Sequence, residues 1–360
     1  MRRGSARLVA ALRQPQQASG LPVPDWSRLV RQARDANLLG ALAVALEAAG
    51  VKAPPQAARH LDGASQLGQR QRLSVRWEAH CVQEALAPLA TPILLLKGAA
   101  YVLAYPEIAQ GRLFGDIDIL VAADRIGPVE SQLMLCGWTT AKIDPYDQRY
   151  YREWMHEIPP MVNLRRGTVL DVHHTILPLT ARNKPDAKAI LARSVPLEGF
   201  PTLRVPCPED LLIHSITHLM HEGELHNGLR DLYDIDRMAR SFSRRPGFWA
   251  SAVAAATAND LALPVAHGLG LARRVFGSPV PDEAIAELWP AGTRLGAKRR
   301  LQAVYAKAFE APGARGGDAL AHAALGFIYL RGHWLRMPLP SLVAHLGRKA
   351  WMGLTTRPGE

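Results

Sequence analysis

Apolar residues recur at helical spacing over residues 25–50 and 64–90, with Leu29, Ala33, Leu38, Leu42, Val44 and Leu46 marking the first run and Pro54 and Pro55 separating it from the second. The first ninety residues therefore predict helices. At Pro92 the period changes: ILLLK is an apolar run of strand length, Gly98 punctuates it, and AAYVLAYP returns to helical spacing until Pro106. A polar loop carrying Arg112 then leads into GDIDILV, whose alternation predicts a strand. Residues 125–136 predict a helix, 138–142 a short strand, 159–164 another before the turn at 165–167, and 168–173 a last alternating strand. This β-α-β-α-β-β-β order asks for one mixed sheet with helices packed on it. From Pro208 to about Leu346 the pattern is helical, with breaks near 245–247, 277–281, 289–292 and 312–317. The expected class is α+β: a helical N-terminal region (1–90), a small mixed-sheet core (91–206) and a helical C-terminal region with a basic tail (207–360).

Composition narrows the setting. A chain of 360 residues with 48% hydrophobic content buries a sizeable core, and no run of eighteen apolar residues suggests a spanning helix. Residues 8–12 are too short for a signal-peptide core, so a cytoplasmic protein is expected. Cys81, Cys136 and Cys207 are odd in number and far apart, which argues against a disulfide framework or a thiolate zinc site. The net charge of +11 is uneven: +6 over residues 1–90, −3 over 91–289 and +8 over 290–360. Basic flanks around a near-neutral centre suit polyanions such as nucleotide phosphates, nucleic acid or an anionic membrane face, and equally suit a chain that uses arginine for solubility.

The chemistry is concentrated in the acidic strand. Asp116 and Asp118 lie at i and i+2 and so share one strand face, while Ile117, Ile119 and Val121 point into a core. Adjacent carboxylates repel, and a hard divalent cation is a common remedy. Asp171, between apolar neighbours in TVLDVHHTI, is a candidate third carboxylate. Three carboxylates meeting across a sheet would suit two ions, the arrangement that in-line phosphoryl or nucleotidyl displacement exploits. The turn Lys97-Gly98-Ala99 offers backbone N–H groups and a helix N-terminus to a triphosphate. Arg112 can clamp a phosphate or neutralise the carboxylates; Lys97 can reach phosphate or run its stem out of a buried strand. Asp171 can alternatively pair with Arg166 or Arg112.

The series K-G-A, a helix, Tyr105-Pro106, Arg112 and D-I-D-I-L-V resembles the nucleotidyltransferase superfamily that contains polymerase-β-like enzymes, and more narrowly its bacterial uncharacterised group. Gly98 matches that pattern's first glycine, Asp116 and Asp118 its paired carboxylates, and Asp171 its later strand aspartate. The resemblance extends through DLLIHSITHLMHEGELHNGLRDLYDIDRMAR, covering about residues 90–240. It implies transfer of a nucleoside monophosphate from an NTP, ATP among them, to an unknown hydroxyl on a small molecule, sugar, protein or RNA end. Asp116, Asp118 and Asp171 would hold Mg2+ or Mn2+, two ions, with Lys97, Gly98, Ala99 and Arg112 at the nucleotide. Ala99 departs from the serine common at that position. The competing expectation is a non-catalytic module of the same fold that binds RNA, peptide or a protein partner through the basic flanks.

Several other groups stand out. His214, His218 and His221 share a helix face and read as packing residues or as lining of the cleft. HEGELH is one residue too long for the H-E-x-x-H zinc pattern. His173 shares the face of Asp171, either in the core or beside the metals. Asp231, Asp234 and Asp236, near Arg230 and Arg237, predict a solvated, salt-bridged helix face. The tail at 333–353, with Trp334, Trp351, Arg336, Arg348 and Lys349, suits docking onto its own domain, an anionic surface or RNA.

Overall fold

The computed structural model describes residues 5–140, 145–310 and 319–337. Helices α1 (Ala6–Arg13), α2 (Val23–Asp35), α3 (Leu39–Ala48) and α4 (Pro55–Leu86) come first. Their pattern is the physical cause: α2 buries Trp26, Leu29, Val30 and Ala33 at helical spacing, and Pro55 opens α4, where its missing N–H leaves no bond unmade.

The sheet follows, with β1 (Ile93–Leu95), β2 (Asp116–Leu120), β3 (Trp138–Thr140), β4 (Met161–Asn163) and β5 (Val169–His173) at the places the alternation predicts. It also holds a hairpin the sequence reading does not contain, β6 (Val195–Pro196) and β7 (Leu203–Val205), giving the order β3-β4-β5-β2-β1-β7-β6. Two- and three-residue strands are too short to display a period of two. β2 runs antiparallel to β1 and parallel to β5, so the acidic strand lies inside the sheet. Its register sets Asp118 opposite Asp171 and Leu120 opposite His173.

Helices α5 (Lys97–Ala104) and α6 (Pro106–Ala109) link β1 to the loop before β2; α7 (Ile126–Leu135) and α8 (Pro145–Trp154) precede β3 and β4; α9 (Ala187–Arg193) precedes β6. The loop before β2 is held from behind by α3. Gly111 adopts φ 72°, and a Cβ on it would lie 2.5 Å from the backbone of Gly40, so two main chains touch there with no side chain between them.

The remaining helices are α10 (Pro208–His221), α11 (Gly228–Phe242), α12 (Phe248–Ala258), α13 (Ala262–Phe276), α14 (Asp282–Glu287), α15 (Leu295–Ala308) and α16 (Ala319–Arg336). α10 is buried along most of its length and packs on α11, α12, α13 and α16. One continuous apolar core runs from Leu8 through the sheet to Ile328. Among the described residues, no helix is long and apolar enough to cross a membrane. Most of the basic, aromatic tail lies outside the described residues; within them, the Arg182 guanidinium stacks 3.8 Å from the Trp334 ring and Arg336 Nη1 lies 3.7 Å from Glu222 Oε1.

Candidate active site

Asp116 opens β2 and is exposed, whereas Asp118 is 4% exposed; Ile117, Ile119 and Val121 are buried as the alternation requires. Asp118 is held through one oxygen. Lys97 Nζ lies 2.8 Å from Oδ1, and His173 Nε2, one strand away on β5, lies 3.2 Å from the same atom. Burial alone would favour the neutral acid, but the charge of Lys97 and the hydrogen bonds from His173 and Lys97 hold Asp118 well below the usual carboxylate range. In return, Lys97 stays above its ordinary value although burial opposes it. Lys97 occupies the turn between β1 and α5 at φ 40°, a left-handed conformation uncommon for a non-glycine residue and typical of strained functional positions.

Asp171 faces Asp118 in register, and its Oδ1 is buried with no hydrogen-bond partner. Burial first, then the charges of Glu157, Asp118 and Asp116, push its pKa up to about 7. Neither cation weighed for it is there: Arg166 binds Glu78 at 2.9 Å, and Arg112 Nε donates to Asp234 Oδ2 at 2.7 Å. A fourth carboxylate joins the group, Glu157, whose Oε2 lies 3.2 Å from His173 Nε2 and whose pKa is raised by burial. Sequence reasoning missed Glu157 because it lies outside any periodic run. It reaches the site through an antiparallel bridge to His173, with Ile158 N–H donating to Val172 O at 3.0 Å.

α10 and α11 form the other wall of a cleft of about 320 Å³, lined by Lys97, Gly98, Tyr101, Arg112, Asp116 and Asp118 on one side and by His218, Glu222, His226, Arg230, Asp231 and Asp234 on the other. Gly98 belongs to the floor. A Cβ there would sit 2.7 Å from Phe114 Cδ1 and 3.0 Å from Arg112 Nη1. Ala99 is 2% exposed and is not part of the lining, so its side chain faces the core. Arg112 lies 5.4 Å and 5.0 Å from the Tyr101 and Phe114 ring centroids, which fixes its guanidinium at the cleft edge.

The aspartates of α11 do not form the solvated face the sequence suggests. Asp234 and Asp236 are each 4% exposed, Asp234 on Arg112 and Asp236 on Arg240 and Ser278. Asp236 has a local partner in Arg240 at i+4, but Arg112 and Ser278, which complete the burial of Asp234 and Asp236, are 122 and 42 residues away in sequence, out of reach of local pattern. The three histidines of α10 divide. His214 is buried, which lowers its pKa to about 3; His221 bonds Thr217 O and Asn183 Oδ1; His218 faces the cleft.

Each of the three aspartates offers oxygen to a hard dication, although among the described residues the three do not gather within the reach of a single ion. Among the described residues, Asp116 has no ion pair, both contacts to Asp118 fall on Oδ1 and leave Oδ2, and the buried Asp171 Oδ1 meets no donor. Oxygen donors of this kind suit Mg2+ or Mn2+.

A family model described as an uncharacterised nucleotidyltransferase matches residues 22–277 of this chain. No curated protein and no solved structure matches it.

Proposed function

The chain belongs to the uncharacterised nucleotidyltransferase family, and from that footing and the geometry of the cleft we propose that it moves a nucleoside monophosphate from an NTP to a hydroxyl acceptor, releasing pyrophosphate. The observation that carries the reading is the register of Asp118 opposite Asp171, with Asp116 at the strand's exposed end and Asp116 and Asp118 lining the cleft beside Gly98. Asp116, Asp118 and Asp171 would hold Mg2+ or Mn2+, whose chemistry when bound is to offset the negative charge that develops on the attacking and leaving oxygens.

The protein's own groups do the rest. The first N–H groups of α5 lack partners within the helix, and with Gly98 on the cleft floor they are placed to receive triphosphate oxygens. Lys97 keeps Asp118 ionised and aims it by holding one oxygen. The acceptor oxygen forms a bond to the α-phosphorus as the bond to pyrophosphate breaks, its proton passing to solvent, while Asp171 serves as a metal ligand. Arg112, anchored on Asp234, turns its remaining N–H groups along the cleft edge, where a phosphate or the acceptor passes.

Calorimetric titration with each of the four NTPs, in Mg2+ and in EDTA, tests the reading. Metal-dependent binding that Asp116→Asn abolishes is the expected result. NTP binding indifferent to both metal and Asp116, or none at all, would leave a non-catalytic module and direct attention to the basic flanks.

A further inference from the structure

Behind the aspartates, His156, Glu157 and His173 bring two imidazoles and a carboxylate together, with one donor atom from each lying within 4.8 Å of the others. His173 Nε2 is 3.2 Å and His156 Nε2 3.9 Å from the same Glu157 oxygen, and the two ring centroids are 5.0 Å apart. Donors arranged tetrahedrally at about 2.0–2.1 Å from an ion lie about 3.3 Å from one another. The first spacing meets this, and the second meets it after a shift of about half an ångström at His156.

The backbone holds the three donors in place before any ligand arrives. Glu157 bridges His173 across the sheet edge, Ile158 N–H donates to Val172 O at 3.0 Å, and His174 N–H donates to His156 O at 2.9 Å. The Nδ1 atoms of His156 and His173 are both buried and meet no partner among the described residues, so each ring can carry its hydrogen on Nδ1 and turn a bare Nε2 to an ion, at His173 in place of the Nε2–H bond to the carboxylates. Without a cation, His173 Nε2 has a single position for hydrogen and two carboxylate oxygens, of Asp118 and Glu157, each at 3.2 Å.

We infer that His156, Glu157 and His173 form a three-ligand site for a transition-metal dication, Zn2+ foremost, separate in donor chemistry from the oxygen-only aspartate cluster. Imidazole nitrogen favours Zn2+ and its neighbours, whereas Mg2+ prefers oxygen, so the two sites sort different ions although they adjoin. The site requires no nucleotide and stands whether or not the cleft catalyses transfer.

The test uses the metal-stripped full chain, titrated with Zn2+ against a chromophoric chelator in excess Mg2+. One Zn2+ per chain is expected, with His156→Ala and Glu157→Gln each weakening it by about 100-fold or more, since even changes to groups around metal ligands weaken binding 10- to 100-fold. Asp116→Asn should leave the affinity unchanged. Absence of Zn2+ binding, wild-type affinity in both His156→Ala and Glu157→Gln, or affinity lost in Asp116→Asn and kept in His156→Ala would overturn the assignment. Should either variant fail to fold, Co2+ added to the wild-type chain decides: intense visible bands of tetrahedral Co2+ uphold the site, and the weak bands of octahedral Co2+ overturn it.

Discussion

Arg112 and Asp234, 122 residues apart, meet in a buried ion pair with Nε 2.7 Å from Oδ2. The pair ties the loop that feeds β2 to the helix across the cleft, so the distance between the cleft walls depends on it. Removing one partner of such a pair leaves a buried charge uncompensated and costs about 3–5 kcal/mol. Asp234→Ala should therefore lower the unfolding free energy by that order in a denaturant titration. The double change Arg112→Met, Asp234→Leu should recover much of the loss; an Asp234→Ala variant as stable as the wild type would show that the pair does not hold the walls.

Asp116 and Asp118 share a face but are unequal in their effect on the fold. Asp116 is exposed and unpaired, so Asp116→Asn should shift stability by no more than about 0.5 kcal/mol while removing metal-dependent nucleotide binding. Asp118→Asn abandons the Lys97 ammonium in a buried place and should cost about 3 kcal/mol besides. Thermal melts of the two variants side by side check this; equal melting temperatures would contradict the buried pairing.

Asp171 gives the fold a pH dependence of definite sign. Its pKa is about 7 in the folded chain and near 3.8, the ordinary aspartate value, when unfolded, so between those values the folded state keeps a proton the unfolded state has released. Stability is then lost as pH rises from about 4 to about 7, by an amount on the order of a few kcal/mol, and is flat beyond. In EDTA, Asp171→Asn should become progressively more stable than the wild type across that window, and Mg2+ should close the gap by stabilising the wild type alone. A difference that does not change with pH would refute the raised pKa.

How much of this was legible depended on the reach of local pattern. β2 and β5 announce themselves because alternating apolar residues fix the register, and that register sets Asp118 opposite Asp171. The β6–β7 hairpin, Glu157 and the burial of Asp234 were not legible. The hairpin strands are too short for a period, Glu157 is recruited by a single backbone bridge, and Asp234 is buried by a residue 122 positions away. Ala99 looked like a lost hydroxyl in the cleft; its burial shows that the residue after Gly98 packs inward here.

Gly98 should tolerate no side chain. In Gly98→Ala the new Cβ would meet Phe114 at 2.7 Å and Arg112 at 3.0 Å, and both would have to move from the cleft edge. The expected result is nucleotide affinity at least about tenfold weaker, equivalent to about 1.4 kcal/mol, with a stability loss of about 1–3 kcal/mol from overpacking. Unchanged affinity in the titration would place the triphosphate elsewhere.

The touching main chains of Gly40 and Gly111 bear on how the protein can be divided. Phe114 N–H donates to Gln71 Oε1 at 2.9 Å, Arg166 reaches Glu78, and Thr202 N–H and Oγ1 both donate to Gln83 Oε1. The loop before the acidic strand and the far edges of the sheet are thus shaped on a template formed by α3 and α4. A fragment starting at residue 91 would keep Asp116, Asp118, Glu157 and Asp171 and lose the contacts with α3 and α4 that shape the loop before them.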